Sequence, residues 1–255
     1  MNLKTFLAML RRDAHVARRN FVTLLVQTLL QPMFFVFIFG RVMTASGLMS
    51  MQYKMLLLPG IIALSMLMSG IMAVAMPLVA EFQFSREIED RLLAPMEIEW
   101  LAVEKVVAGM IQALAAGLVV LPTAWLVMGR VSLSTDHLAL FVALAMLVSC
   151  LTAAMGLTLG CSVGQTQIGL MFSLVLAPMI FFGCTYYPWK TLDAFPWLQR
   201  AVLVNPVVYA SEGLRGAFVP QYPHLSVYVV MSALVLFNGA FLSFGMRQFR
   251  RKAIG

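Results

Sequence analysis

The stretch LALFVALAMLVSCLTAAMGLTLGC, from Leu138 to Cys161, holds no Asp, Glu, Lys, Arg or His. An uncharged run of that length suits one helical crossing of ~30 Å of hydrocarbon, where every backbone N–H and C=O must bond within the segment. Five further stretches read the same way: Phe21 to Phe39, Met55 to Val79, Val106 to Met128, Ile168 to Cys184 and Leu225 to Met246. The chain of 255 residues is 61% apolar and 11% charged. Soluble domains hold roughly 45–50% apolar and ~25% charged residues, so a water-soluble globule is excluded. The expected fold is an all-α membrane protein with six transmembrane helices, residues 21–255 forming one membrane domain. Gln27, Gln31 and Pro32 make the first span the least apolar, and Pro32 is expected to kink it.

Lys and Arg fall unevenly between these spans, with twelve on one set of alternating pieces and six on the other. The richer set belongs inside, which places both termini in the cytoplasm. The net charge of +7 is then explained by the membrane boundary, with no need for a nucleic-acid partner. Leu3, Phe6, Leu7, Leu10, Ala14 and Ala17 recur at helical spacing while arginines fill the other face. Residues 1–20 therefore read as an amphipathic helix lying on membrane lipid, the alternative being a basic tail that enforces topology. No apolar stretch precedes residue 21, so no cleavable signal peptide is expected.

Chemistry of the chain's own is not expected. His15, His137 and His224 are scattered, and the three cysteines, Cys150, Cys161 and Cys184, all sit in apolar runs as small core residues. No zinc-protease, serine-hydrolase, dithiol or Walker A pattern occurs, so no catalytic residue, metal or cofactor is assigned to this chain. The centres of the spans lack ionisable groups, which proton- and ion-coupled transporters commonly place there. Energy for uphill transport would have to enter from elsewhere. Gly109, Ala113 and Gly117 form one ladder of small residues, and Gly156, Gly160 and Gly164 another, leaving open whether they pack within one chain or between subunits.

Seven of the 11 acidic residues lie between positions 81 and 104: Glu81, Glu87, Glu89, Asp90, Glu97, Glu99 and Glu104. This loop sits on the inside yet carries a net charge of −4 once Arg86, Arg91 and Lys105 are counted. Phe84, Ile88, Arg91, Leu92 and Pro95 follow at three- and four-residue steps, so a short helix would present an apolar edge flanked by carboxylates. Such an element suits docking to a cytoplasmic partner. A solvated acidic loop is the alternative.

Two patterns, taken with the six spans, carry a family resemblance. In FSREIEDRLLAP, from Phe84 to Pro95, Arg86, Glu89, Leu92, Leu93, Ala94 and Pro95 fill an arginine, acid, leucine-pair, small-residue and proline order. That order resembles the loop after the second span in permeases of the ABC-2 type of ATP-binding-cassette transporter. The second pattern runs FGCTYYP from Phe182 to Pro188, then Leu192, Pro196-Trp197-Leu198, Asn205-Pro206-Val207-Val208-Tyr209 and Leu214-Arg215-Gly216. It is similar to the same family's signature, a small-residue turn ending the fifth span and an outer hairpin with N-P-x-x-Y before the last.

The resemblance implies a permease subunit of an exporter in the bacterial plasma (inner) membrane, working as a homodimer with separate ATPase subunits that bind ATP and Mg. It implies a cytoplasmic coupling helix between spans 2 and 3, with Phe84, Leu92 and Leu93 as apolar contacts, Arg86, Glu87 and Glu89 as orienting charges, and Pro95 at its end. It also implies re-entrant outer helices between spans 5 and 6, marked by Gly183, Tyr187, Pro188, Asn205, Pro206, Tyr209 and Arg215. Independently, Thr185 to Phe218 is too broken by Pro188, Pro196 and Pro206 to span again, yet too apolar for a free loop. A cap lying flat on the headgroups is the other reading. The uncharged interior favours a lipophilic or amphipathic cargo, a drug (multidrug export), lipid or other small molecule. Lipid-linked glycan or polysaccharide export, and an ATP-independent transporter or channel, are the alternatives.

Overall fold

A computed structural model describes residues 11–12, 30, 33–47, 51–82, 98–128 and 137–254 of the chain. Among them the regular structure is entirely helical. The main elements are α1 (Met33–Ala45), α2 (Met51–Ala80), α3 (Ile98–Met128), α4 (Leu138–Ser162), α5 (Ile168–Phe181), α6 (Pro196–Ala201), α7 (Pro206–Phe218) and α8 (Val227–Ile254). Four of them, α2, α3, α4 and α8, are long and apolar enough to cross a membrane. These correspond to the second, third, fourth and sixth expected spans. The first and fifth appear as the shorter apolar helices α1 and α5, each with a π-helical turn, Ile38–Val42 and Phe172–Leu176 respectively. Most of residues 21–32, and with them the expected kink at Pro32, lie outside the described residues. So do the expected amphipathic helix apart from residues 11–12, and the whole docking loop from Phe84 to Pro95.

α2 is the central rod. Its most apolar window is 72% buried, against 17% for α8, because α3, α4 and α7 pack around it. The two small-residue ladders explain how. A methyl group on Gly109 of α3 would meet the Val74 side chain at 2.4 Å, and one on Gly156 of α4 would meet the Ile71 carbonyl oxygen at 2.8 Å. The first ladder, and Gly156 and Gly160 of the second, thus face α2 of the same chain. Close approach brings polar side chains onto neighbouring backbones, the usual supplement where lipid supplies no hydrophobic drive between helices. Asn238 of α8 donates to the Leu147 carbonyl at 3.1 Å, and Thr158 of α4 to the Phe241 carbonyl at 3.1 Å.

At the charged end of the bundle, helix boundaries differ from those expected. Glu99, Glu104 and Lys105 were expected in the acidic loop, but they occupy the first turns of α3, which begins at Ile98. Carboxylates in a first turn favour the helix by complementing its dipole. Lys105 is buried and donates to Glu81 at 2.9 Å, just beyond the end of α2. α8 likewise runs past Met246 to Ile254. Its last turn is fastened by Lys252, which donates to the Cys161 carbonyl at the end of α4 at 3.2 Å and lies 5.0 Å above the Phe82 ring. At 1.5 Å per residue α8 is about 42 Å long, so its basic end extends past a ~30 Å hydrocarbon layer.

Candidate functional site

The opposite end of the bundle carries the hairpin between α5 and α8. α5 stops in a tight turn because Gly183 has no room for a side chain: a methyl group there would stand 2.6 Å from both the Met179 carbonyl oxygen and the Val207 side chain. Cys184 then takes φ 53°, a left-handed conformation that few non-glycine residues adopt. Thr185 closes the turn by donating to the Ile180 carbonyl at 3.0 Å, and Tyr187 by donating to the Phe181 carbonyl at 2.9 Å. Pro188 leads into a 3-10 helix, Trp189–Ala194. The indole N–H of Trp189 reaches the Gln199 carbonyl at 3.0 Å, folding this helix onto α6. Hydrogen bonds from Gln199 and then Lys190 hold the exposed Asp193 carboxyl below its ordinary range.

Asn205 and Pro206 start α7 for a simple reason. The Asn205 side-chain oxygen accepts from the Val207 N–H at 3.0 Å, while Pro206, at the first helical position, has no N–H to satisfy. The Asn205 amide also donates to the Met179 carbonyl at 2.7 Å, tying α7 to α5. Tyr209 donates to the Leu203 carbonyl at 2.8 Å. Every residue of α7 is buried, although its sequence includes Glu212 and Arg215.

Those two side chains, both at 0% exposure, form an ion pair one turn apart. Burying two charges is costly unless their remaining hydrogen-bonding capacity is used. Here it is. Arg215 Nε donates to the Leu56 carbonyl at 3.2 Å and Nη2 to the Cys184 carbonyl at 2.9 Å. Glu212 accepts from the Trp189 N–H at 2.9 Å on one oxygen and from the Leu225 N–H at 3.2 Å on the other. The pair thus gathers backbone groups from α2, the turn after α5, the 3-10 helix and the approach to α8.

α2 meets the turn at two more points. Tyr53 donates to the Tyr186 carbonyl at 2.6 Å. Gly60 packs against Thr185. The Tyr186 ring lies 4.9 Å from Phe35 and 6.3 Å from Phe181, so aromatic packing joins the ends of α1 and α5. Burial there pushes the Tyr186 phenol up to about 12.

The hairpin residues singled out from sequence, Gly183, Tyr187, Pro188, Asn205, Pro206, Tyr209 and Arg215, all belong to this one structure. The docking residues Phe84, Arg86, Glu87, Glu89, Leu92, Leu93 and Pro95 lie outside the described residues. Sequence reasoning missed Glu212, Tyr53 and Gly60. Glu212 had a usable signal, an acid three residues before Arg215 in an apolar segment, which is pairing distance on a helix. Among the described residues no group of His, Cys, Asp or Glu could hold a metal ion.

Comparison with known proteins places this architecture. Residues 4–219 match the family described as ABC-2 type transporter. The chain belongs to the ABC-2 type transporter family. The match ends at Val219, directly after α7, and so takes in the hairpin through α7. The chain is also similar to the inner membrane transport permease YadH of Escherichia coli (strain K12), 26% identical over 228 residues covering 85% of this chain and 86% of that protein. The YadH proteins of Escherichia coli O157:H7 and Shigella flexneri match to the same extent, each at 26% identity. As an ABC-2 family member the chain is a membrane transport permease, with the bundle as its membrane part.

Proposed function

We propose that this chain is the membrane subunit of an ABC-2 exporter in the bacterial inner membrane, a homodimer of six-span chains driven by two separate ATPase subunits that bind ATP and Mg. The observation that carries the reading is the family match over residues 4–219. The structure is compatible with it in three respects. α1 and α5 supply apolar helices where the first and fifth spans belong, and their exposed Phe34, Phe37, Leu170 and Leu174 suit lipid or a second copy. The ionisable groups buried among the described residues lie at the two ends of the bundle rather than midway, so ion coupling has no foothold. The charged end, with Glu81, Lys105 and the basic end of α8, suits the cytoplasmic side, which puts both termini inside.

In this reading residues 84–95 form the coupling helix, seated in a groove of the ATPase, and α6 and α7 are the re-entrant helices that close the outer end of the path. Residues 1–20 hold the assembly at the inner lipid surface. The cargo is lipophilic or amphipathic, since the spans offer it no charge. The test is ATP hydrolysis by an ABC ATPase of the same genome, reconstituted in liposomes with this chain and with the Glu89→Ala, Leu92→Ala variant. Stimulation by the unsubstituted chain that is lost in the variant supports the reading. Absence of any complex with the genome's ABC ATPases overturns it in favour of an ATP-independent membrane protein. Movement of a glycan lipid in place of apolar dyes corrects the cargo alone.

A further inference from the structure

α2 contains a weak point that the hairpin covers. Pro59 has no N–H to donate to the Met55 carbonyl, and Gly60, a poor helix former, follows it, so the helix is weakest there. A rod broken there would flex between residues 51–58 and the remainder. The hairpin's contacts fall on both sides of the break. Before it, Tyr53 donates to the Tyr186 carbonyl at 2.6 Å, and the Leu56 carbonyl accepts from Arg215 at 3.2 Å. After it, Gly60 abuts the Thr185 carbonyl, where an added methyl carbon would stand 1.7 Å from the oxygen. The same Arg215 holds the Cys184 carbonyl at 2.9 Å, and Glu212 fixes the guanidinium in place.

We propose that the hairpin splints α2 across the Pro59–Gly60 weak point, with Arg215 as the positioning residue, so that α2 as far as Pro77 and the hairpin move as one body. At its other end α2 leads through Glu81 and Phe82 directly into the segment assigned to ATPase docking. α2 holds a second proline, Pro77, which none of these hairpin contacts reaches, so the splint passes to the outer closure the part of that segment's displacement that crosses Pro77. The transmission role rests on the transporter reading above; the rigidity does not. Arg215 is suited to this by its planar fork, which serves two carbonyls and a carboxylate at once, whereas lysine is a point charge.

The experiment measures spin-label distances on the full chain in lipid nanodiscs, without any ATPase, so its outcome is separate from the fate of the transporter reading. Labels go on Met76→Cys near the far end of α2 and Ala194→Cys on the hairpin, both exposed positions. Cys150→Ala, Cys161→Ala and Cys184→Gly remove the native thiols, glycine suiting the left-handed position. The expected result is one narrow distribution, broadened by Arg215→Lys and narrowed again when Pro59→Ala restores the missing helical donor. A broad distribution with Arg215 intact, no broadening in Arg215→Lys, or no recovery with Pro59→Ala overturns the splint. Should Arg215→Lys fail to fold, Tyr53→Phe removes one of the straddling contacts, and an unchanged width there overturns it equally.

Discussion

Gly60 and Thr185 approach so closely that a side-chain carbon on the glycine would stand 1.7 Å from the threonine carbonyl oxygen. Neither partner in this contact is a flexible side chain. Gly60→Ala must therefore displace the turn after α5 or bend α2. Overpacking of this kind costs ~1–3 kcal/mol, and a backbone obstacle puts the cost toward the upper end. Thermal unfolding in detergent should show a clear fall in midpoint, while Gly239→Ala, with open space around it inside α8, should hold the midpoint or raise it.

Glu212 and Arg215 should be far from additive. Glu212→Ala leaves a buried guanidinium with no counter-charge and should cost ~3–5 kcal/mol. Replacing both, as Glu212→Gln with Arg215→Met, removes the stranded charge and should cost less than Glu212→Ala alone. Denaturation of the two variants side by side checks the order. A double variant less stable than the single would contradict it.

Asn205→Ala removes an N-cap and the donor to Met179 together. A loss of about 1–2 kcal/mol is expected. Asn205→Ser should recover the cap but not the bridge to α5. Stability intermediate between the parent and the alanine variant is the expected measurement.

Asp193 sets the acid response of the hairpin tip. Its carboxyl titrates below the ordinary value in the folded chain, because Gln199 and Lys190 favour the ionised form. The contribution is therefore complete above the unfolded value of ~3.9 and is lost as pH falls through the lowered one. Trp189 fluorescence should show no change from this group between about pH 5 and 8, then an acid step that Asp193→Asn abolishes.

Much of this arrangement was legible beforehand, and the reasons differ by element. α2, α3, α4 and α8 announce themselves because hydropathy sums over a whole span, and the Asn205-Pro206 start of α7 is a local backbone requirement. The beginning of α3 was misread because Glu99, Glu104 and Lys105 look like loop residues one at a time. Lys105 becomes compatible with a buried helical turn only through Glu81, 24 positions away. Glu212 escaped notice for a related reason: its partners Trp189 and Leu225 contribute backbone N–H groups, which every residue has and no sequence pattern marks.

The hub around Glu212 also dictates an order of events during synthesis. Chains emerge amino end first. Among the described residues the second oxygen of Glu212 accepts from the N–H of Leu225, at the threshold of the last helix. A nascent chain that has already folded α1 to α7 still holds a carboxylate without its full set of donors. This end of the bundle therefore cannot be complete until the residues that open α8 have been made and set in place.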